Sequence, residues 1–250
     1  QFNLGVMYDK GRGVPQDYKT AVKWWKLAAE QGFARAQFNL GLMYEQGEGV
    51  PKDSATAVRW WRLAAKQGDA SAQFNLGVMY DKGRGVPQDY KTAVKLYKLA
   101  AKQGDASAQF NLGGMYNNGH GVPKNEETAV KWYRLAAEQG NAPAQHNLGE
   151  MYRQGKGVPQ DHKTAVKWYR LAAEQGNASA QGNLGAMYAL GTGVLKDYVY
   201  AHMWGNIAVS IGGREAGKVR DFVEKKMTPS QLENAQDLAR ECIRKKYKGC

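Results

Sequence analysis

Asparagine stands at positions 3, 39, 75, 111, 147 and 183, one carboxamide every 36 residues. A carboxamide donates and accepts hydrogen bonds, so a ladder of them can bind the backbone of an extended peptide whatever its sequence. The residue before each asparagine is Phe2, Phe38, Phe74 and Phe110 in the first four copies, then His146 and Gly182. Three residues after it come Val6, Leu42 and Val78, giving way to Gly114, Glu150 and Ala186. Rigid rings beside aliphatic groups make anchors for a partner segment. That is binding chemistry. Catalysis needs groups that converge, and His120, His146, His162 and His202 fall in unrelated registers. No H-E-x-x-H, G-x-S-x-G, S-x-x-K or G-x-x-x-x-G-K-[ST] motif occurs. The Gly-x-Gly-Val-Pro stretches lack the third glycine and the preceding strand of a dinucleotide fingerprint. Neither a catalytic residue, a cofactor nor a metal is implied, and a hydrolase acting on cell-wall material is the remaining enzymatic alternative.

The elements that position these residues follow from the same step. Leucines at 4, 40, 76, 112, 148 and 184 and tyrosines at 8, 44, 80, 116, 152 and 188 keep it, and residues 1–23 recur unchanged at 73–95. A fixed period of this size is the mark of a stacked repeat architecture. Within one unit, residues 34–46 form a predicted helix with Ala36, Leu40, Met43 and Tyr44 on one face. Gly47-Glu48-Gly49-Val50-Pro51 then breaks the chain. Asp53 is the predicted N-cap of a second helix over 54–67, with Asp17, Asp89, Asn125, Asp161 and Asp197 equivalent. That helix turns Ala57, Trp61, Ala64 and Ala65 inward, with Trp60 beside them, and ends at a left-handed Gly68. The pairs Trp24-Trp25, Trp60-Trp61, Leu96-Tyr97, Trp132-Tyr133 and Trp168-Tyr169 read as core in place of stacking platforms for bases.

The pattern A-x-A-Q-x-N-L-G-x-M-Y…G-x-G-V-P…A-V-x-W-[WY]-x-L-A-A-x-Q-G resembles the Sel1-like repeat, a relative of the tetratricopeptide repeat with a longer loop between its helices. The resemblance covers residues 1–212 in six copies, the first truncated at its N-terminus and the sixth divergent. It implies an all-α fold: a right-handed α/α superhelical solenoid of six 36-residue helix-turn-helix repeats with a helical C-terminal cap. It also implies a bacterial, non-enzymatic scaffold or adaptor, periplasmic or secreted, that takes a protein or peptide in a concave groove. Placed on that solenoid, Phe2, Asn3, Phe38, Asn39, Leu42, Phe74, Asn75, Val78, Phe110, Asn111, His146, Asn147 and Asn183 line the groove. Two alternatives stay open: the rings pack between neighbouring first helices, and the asparagines satisfy backbone groups of loops or neighbours. Gln1 corresponds to Gln37 and no Met opens the chain, so it reads as a fragment or processed form with any signal peptide upstream.

The sixth copy departs from the pattern. Proline becomes Leu195, an outward lysine becomes Met203, and the aromatic pair becomes Trp204-Gly205. An apolar residue at an outward position calls for a cover, and residues 213–250 supply two helices as a cap. One carries Ala216, Val219, Val223 and Met227 on a stripe. The other opens on a capping box, Thr228-Pro229-Ser230-Gln231, and aligns Leu232, Ala235, Ala239 and Cys242. A buried Cys242 thiol and a disulfide to Cys250 are both open; some members of the family carry a cysteine pair in each repeat, and this chain does not.

The 250 residues carry a formal charge of +12, of which about +8 lies in the repeats and +4 from residue 214 onward. Twenty-seven aromatic rings exclude a disordered chain, and no apolar run is long enough to span a membrane. The repeat cations form a rib on the second helices, partly paired as Lys26–Glu30, Arg134–Glu138 and Arg170–Glu174. A solvated face is one reading, and weak attraction to anionic lipid, glycan or nucleic acid another. Near-identity of copies one and three argues against a sequence-specific nucleic-acid code.

Overall fold

In the computed structural model, which describes all 250 residues, the chain is helical throughout. Six pairs of helices follow one another: α1 (Phe2–Lys10) and α2 (Tyr18–Glu30), α3 (Ala34–Gln46) and α4 (Ser54–Lys66), α5 (Ala70–Lys82) and α6 (Tyr90–Lys102). They continue as α7 (Ala106–Asn118) and α8 (Glu126–Glu138), α9 (Ala142–Gln154) and α10 (His162–Ala173), α11 (Ala178–Leu190) and α12 (Tyr198–Ser210). Two more, α13 (Ala216–Glu224) and α14 (Pro229–Arg244), close the chain. Packing divides it into two compact units, Gln1–Lys124 and Asn125–Cys250, so the division falls in the loop inside the fourth repeat. In each unit successive helices pack on one another as far as α13, while α14 packs back on α12, and the paired helices form the solenoid arrangement predicted.

Local chemistry sets the helix ends. Asp17, Asp53, Asp89, Asn125, Asp161 and Asp197 all cap the second helices, as predicted. The first helices have caps too: Asp69, Asp105, Asn141 and Asn177 accept from the backbone three residues on. Phe33 holds that position before α3, makes no cap bond, and instead sets its ring edge-on to Phe2 at 5.0 Å. The second glycine of each loop is a point of close approach. Gly49 has a φ of 70°, and a Cβ there would lie 2.5 Å from the carbonyl of Tyr18, at the start of the previous repeat's second helix. The loop thus seats on its neighbour, where only glycine fits.

Each core is a knob in a notch. Trp61 is buried with its indole N–H donating to the Phe38 carbonyl at 3.1 Å, and a Cβ on Gly41 would meet that indole at 2.4 Å. Trp25, Tyr97, Tyr133 and Tyr169 fill the same place in their repeats, so the core reading of the aromatic pairs holds. A buried glutamine ladder runs beside them. Gln37 donates to the Ala29 carbonyl of the preceding repeat at 3.1 Å and accepts from Gln67 of its own repeat at 2.8 Å. Gln73 does the same with Ala65 and Gln103, and Gln145 with Ala137 and Gln175. One carboxamide therefore joins the ends of two successive second helices.

The departures of the sixth repeat are fitted to the cap. Met203 is buried in one cluster with Ala239 and Cys242 of α14, the cover its outward position required. Gly205 replaces the inner ring and lets α13 approach, with Arg220 Cβ 3.1 Å from where a Cβ would be. Val219, Val223 and Met227 pack against Ala189 and Ala201, and the Thr228–Gln231 capping box is formed in both directions. Cys242 and Cys250 are joined in a disulfide.

Three expected ion pairs do not form. Arg134 and Arg170 reach instead to the hydroxyls of Tyr152 and Tyr188 in the next repeat, at 2.7 and 2.8 Å, leaving Glu138 and Glu174 unpaired, and Lys26 stays apart from Glu30. Exposed pairs on flexible stems contribute so little that a firm hydroxyl acceptor displaces them.

Candidate functional site

The predicted ligand-facing residues lie on the first helices, and the structure divides them. In the first unit the rings are half-buried against core. Phe2 packs on Phe33 and the cluster around Trp25; Phe38 and Leu42 pack on the cluster around Trp61. Phe74 lies tilted on Tyr97 with ring centroids 6.0 Å apart, and Phe110 and Val78 are half-buried. The ladder of rings is therefore largely packing between helices. Asn3 is exposed; Asn75 is half-buried; Asn111 lies beside the buried Tyr97 hydroxyl. Asn39 and Leu42 line a cleft of about 290 Å³ with Val6, Asp9, Lys10 and Trp25.

In the second unit the same face opens. A cleft of about 620 Å³ lies along α9 and α11 and is closed by the segment from Gly212 to Val219. Loss of the phenyl ring at His146 and Gly182 makes the room. His146 joins two asparagines, with Nδ1 3.2 Å from Asn147 Oδ1 and Nε2 3.2 Å from Asn183 Nδ2. Asn147 also bonds the Tyr133 hydroxyl, whose phenol burial pushes up. Here the asparagines serve internal partners, but these are side chains and not the backbone groups of the alternative reading.

Glu150 forms the polar floor. It accepts from Tyr169 at 2.5 Å, from Arg153 at 2.5 and 3.0 Å, and from Gln154. The Arg153 bonds, ahead of those from Tyr169 and Gln154, hold its carboxyl down to about 2 against the cost of burial. Burial, then the bond to Glu150, pushes the Tyr169 phenol up. The result is a fixed, ionised carboxylate with its acceptor positions taken. Arg214, at the rim, is exposed and has no acidic partner.

Sequence reasoning placed Glu150 at the right register but did not see Arg153, Arg214 or the closing segment. The signal available was the replacement of an aliphatic residue by a carboxylate three positions before an arginine.

Six Sel1 repeats match the family's sequence pattern, over residues 1–33, 34–69, 70–105, 106–141, 142–177 and 178–212. The chain belongs to the Sel1 repeat family. Among solved structures, a Sel1 repeat protein from Oxalobacter formigenes is 39% identical, with a TM-score of 0.75 over 83% of each chain. The protein c5321, a protective antigen of uropathogenic Escherichia coli strains with an SLR fold, is 31% identical at a TM-score of 0.55, covering 98% of this chain and 69% of that one. Immunity protein Pa5087 from Pseudomonas aeruginosa shares the fold alone, at 22% identity and a TM-score of 0.51 over 85% of this chain and 83% of that one. No curated protein matches the sequence. The Sel1 fold is generally a scaffold for protein–protein interaction and typically non-catalytic. No helix of this Sel1 chain is long and apolar enough to cross a membrane.

Proposed function

We propose that this Sel1 protein is a non-enzymatic scaffold that binds a protein or peptide segment along the exposed face of its first helices. One observation carries the reading: the clefts of both units fall on that face, at the registers of Asn39 and Leu42 in one and of His146 and Asn183 in the other. Arg214, without an acidic partner at the rim, with Ser179 and Asn183 in the same lining, suits an extended backbone with a terminal or acidic group. Glu150 stays ionised far below neutral pH and has no proton to give, which favours binding over acid catalysis. The bacterial setting and a periplasmic or secreted location remain part of the proposal. The Cys242–Cys250 disulfide supports that location, since such bonds persist in oxidising compartments.

The test is site-specific photo-crosslinking. A crosslinking side chain in place of Ala186, in the large cleft, should trap one discrete partner, and Arg214→Glu should reduce the yield. Equal trapping from a position outside the clefts, such as Arg240, would reject the cleft as the site.

A further inference from the structure

Leucine occupies the same position of the second helix in five successive repeats, at 27, 63, 99, 135 and 171, and each is between 44% and 49% exposed. A single exposed leucine is ordinary, but one at every repeat of a period is not scattered apolar surface. Each follows a cation and has another one turn back on the same face: Lys23 and Lys26, Arg59 and Arg62, Lys95 and Lys98 in the first unit. The helices α2, α4 and α6 carry three, three and four Lys or Arg, against the carboxylate Glu30 alone. None of these cations forms an ion pair. Arg62 donates to the neutral Tyr80 hydroxyl and Lys98 stands over the Tyr116 ring, so their charge is uncompensated. The N-cap carboxylates Asp17, Asp53 and Asp89 sit at the helix starts, bonded to Thr20, Thr56 and Thr92, and offset part of the charge of Lys23, Arg59 and Lys95 only. In the second unit Leu171 lines a groove of about 600 Å³ with Lys163, Lys167, Arg170 and Glu174.

We propose that the leucine-and-cation face of α2, α4 and α6 docks on an anionic lipid bilayer. Charge complementarity selects the occupant. The face offers the same two groups again and again, with Glu30 of α2 its one departure, so it suits a surface that is uniform and without sequence. Leucine enters below the headgroups while the Lys and Arg stems carry their charges to the phosphates. Each cation near an anionic leaflet strengthens binding about five-fold. The face uses none of the cleft residues, so a bilayer and a peptide can be held together.

Flotation of the full chain with vesicles tests it. Vesicles of phosphatidylcholine with about 30% phosphatidylglycerol should bind at least about ten-fold more chain than phosphatidylcholine alone. The variant Leu27→Ser, Leu63→Ser, Leu99→Ser should lose about ten-fold of that binding and keep its helicity, since about half of each side chain faces solvent. If it loses helicity, Arg59→Glu with Arg62→Glu decides instead and should lose at least as much. Absence of binding to anionic vesicles overturns the proposal, as does binding that neither variant alters. Equal capture on immobilised polyglutamate would assign the face to an acidic protein. Self-association of the chain lost in the leucine variant would assign it to a second copy.

Discussion

Gln175 donates to the buried carboxamide oxygen of Gln145 at 2.7 Å, and one repeat later the same exchange fails. Gln181 is equivalent to Gln145 and still donates to the Ala173 carbonyl at 3.0 Å. The residue equivalent to Gln175 is Ile211, which has no side-chain donor, and the Gln181 oxygen is left buried without a partner. A buried acceptor that loses its bond to water and gains none is destabilising.

Ile211→Gln should therefore stabilise the second unit, by about 1 kcal/mol. The midpoint of urea unfolding should rise with its slope unchanged. An unchanged midpoint would mean that water already serves the Gln181 oxygen.

Acid should weaken the cap through His202. This residue takes the place of the core valine of the other repeats, is buried in α12, and has Nδ1 without a partner. Burial depresses its pKa, aided by Arg220; Glu224 of α13, 3.8 Å from Nε2, and Asp221 oppose the shift. The unfolded chain thus takes up a proton at the ordinary histidine value while the folded chain resists it. The stability of the neutral ring is present above that value and is lost as pH falls through it. The melting temperature should drop between about pH 7 and pH 5, and His202→Val should flatten that part of the profile. A slope unchanged in the variant would place the titration elsewhere.

The rings of the first helices are structural before they are anything else. Phe38→Ser with Phe74→Ser should cost about 2 kcal/mol per ring, because each side chain packs on the core beneath it. A ligand-binding ladder would instead show a loss of capture with little loss of stability. Chemical unfolding separates the two, and a stable double variant would return the rings to the groove.

The helices, their caps and the loop glycines were legible because local chemistry decides them. Asp53 caps, Gly47 and Gly49 turn, and Pro51 stops a helix wherever they stand. Met203 and the capping box at Thr228 announced the cap for the same reason. The residues missed depend on what lies across a gap. Gln37 reads as polar surface until the Ala29 carbonyl and Gln67 are in place, although glutamine at 1, 37, 73, 109, 145 and 181 was in plain view. Leu27 reads as core beside Ala28 and Ala29, yet the helix turns it to solvent. The arginine partners were misjudged because a pairing rule within one helix cannot see a tyrosine on the next.

The glutamine relay also governs how such a chain can change length. Each internal copy brings both halves of the junction, a carboxamide that reaches back and a second carboxamide that serves it. Any internal copy can thus be duplicated or deleted and the seam heals with the same bonds, as the recurrence of residues 1–23 at 73–95 suits. The sixth copy cannot join that exchange. Ile211 lacks the second carboxamide, and Met203 and Gly205 fit the copy to α14 and α13, so the array can grow and shrink only on the side of the internal copies.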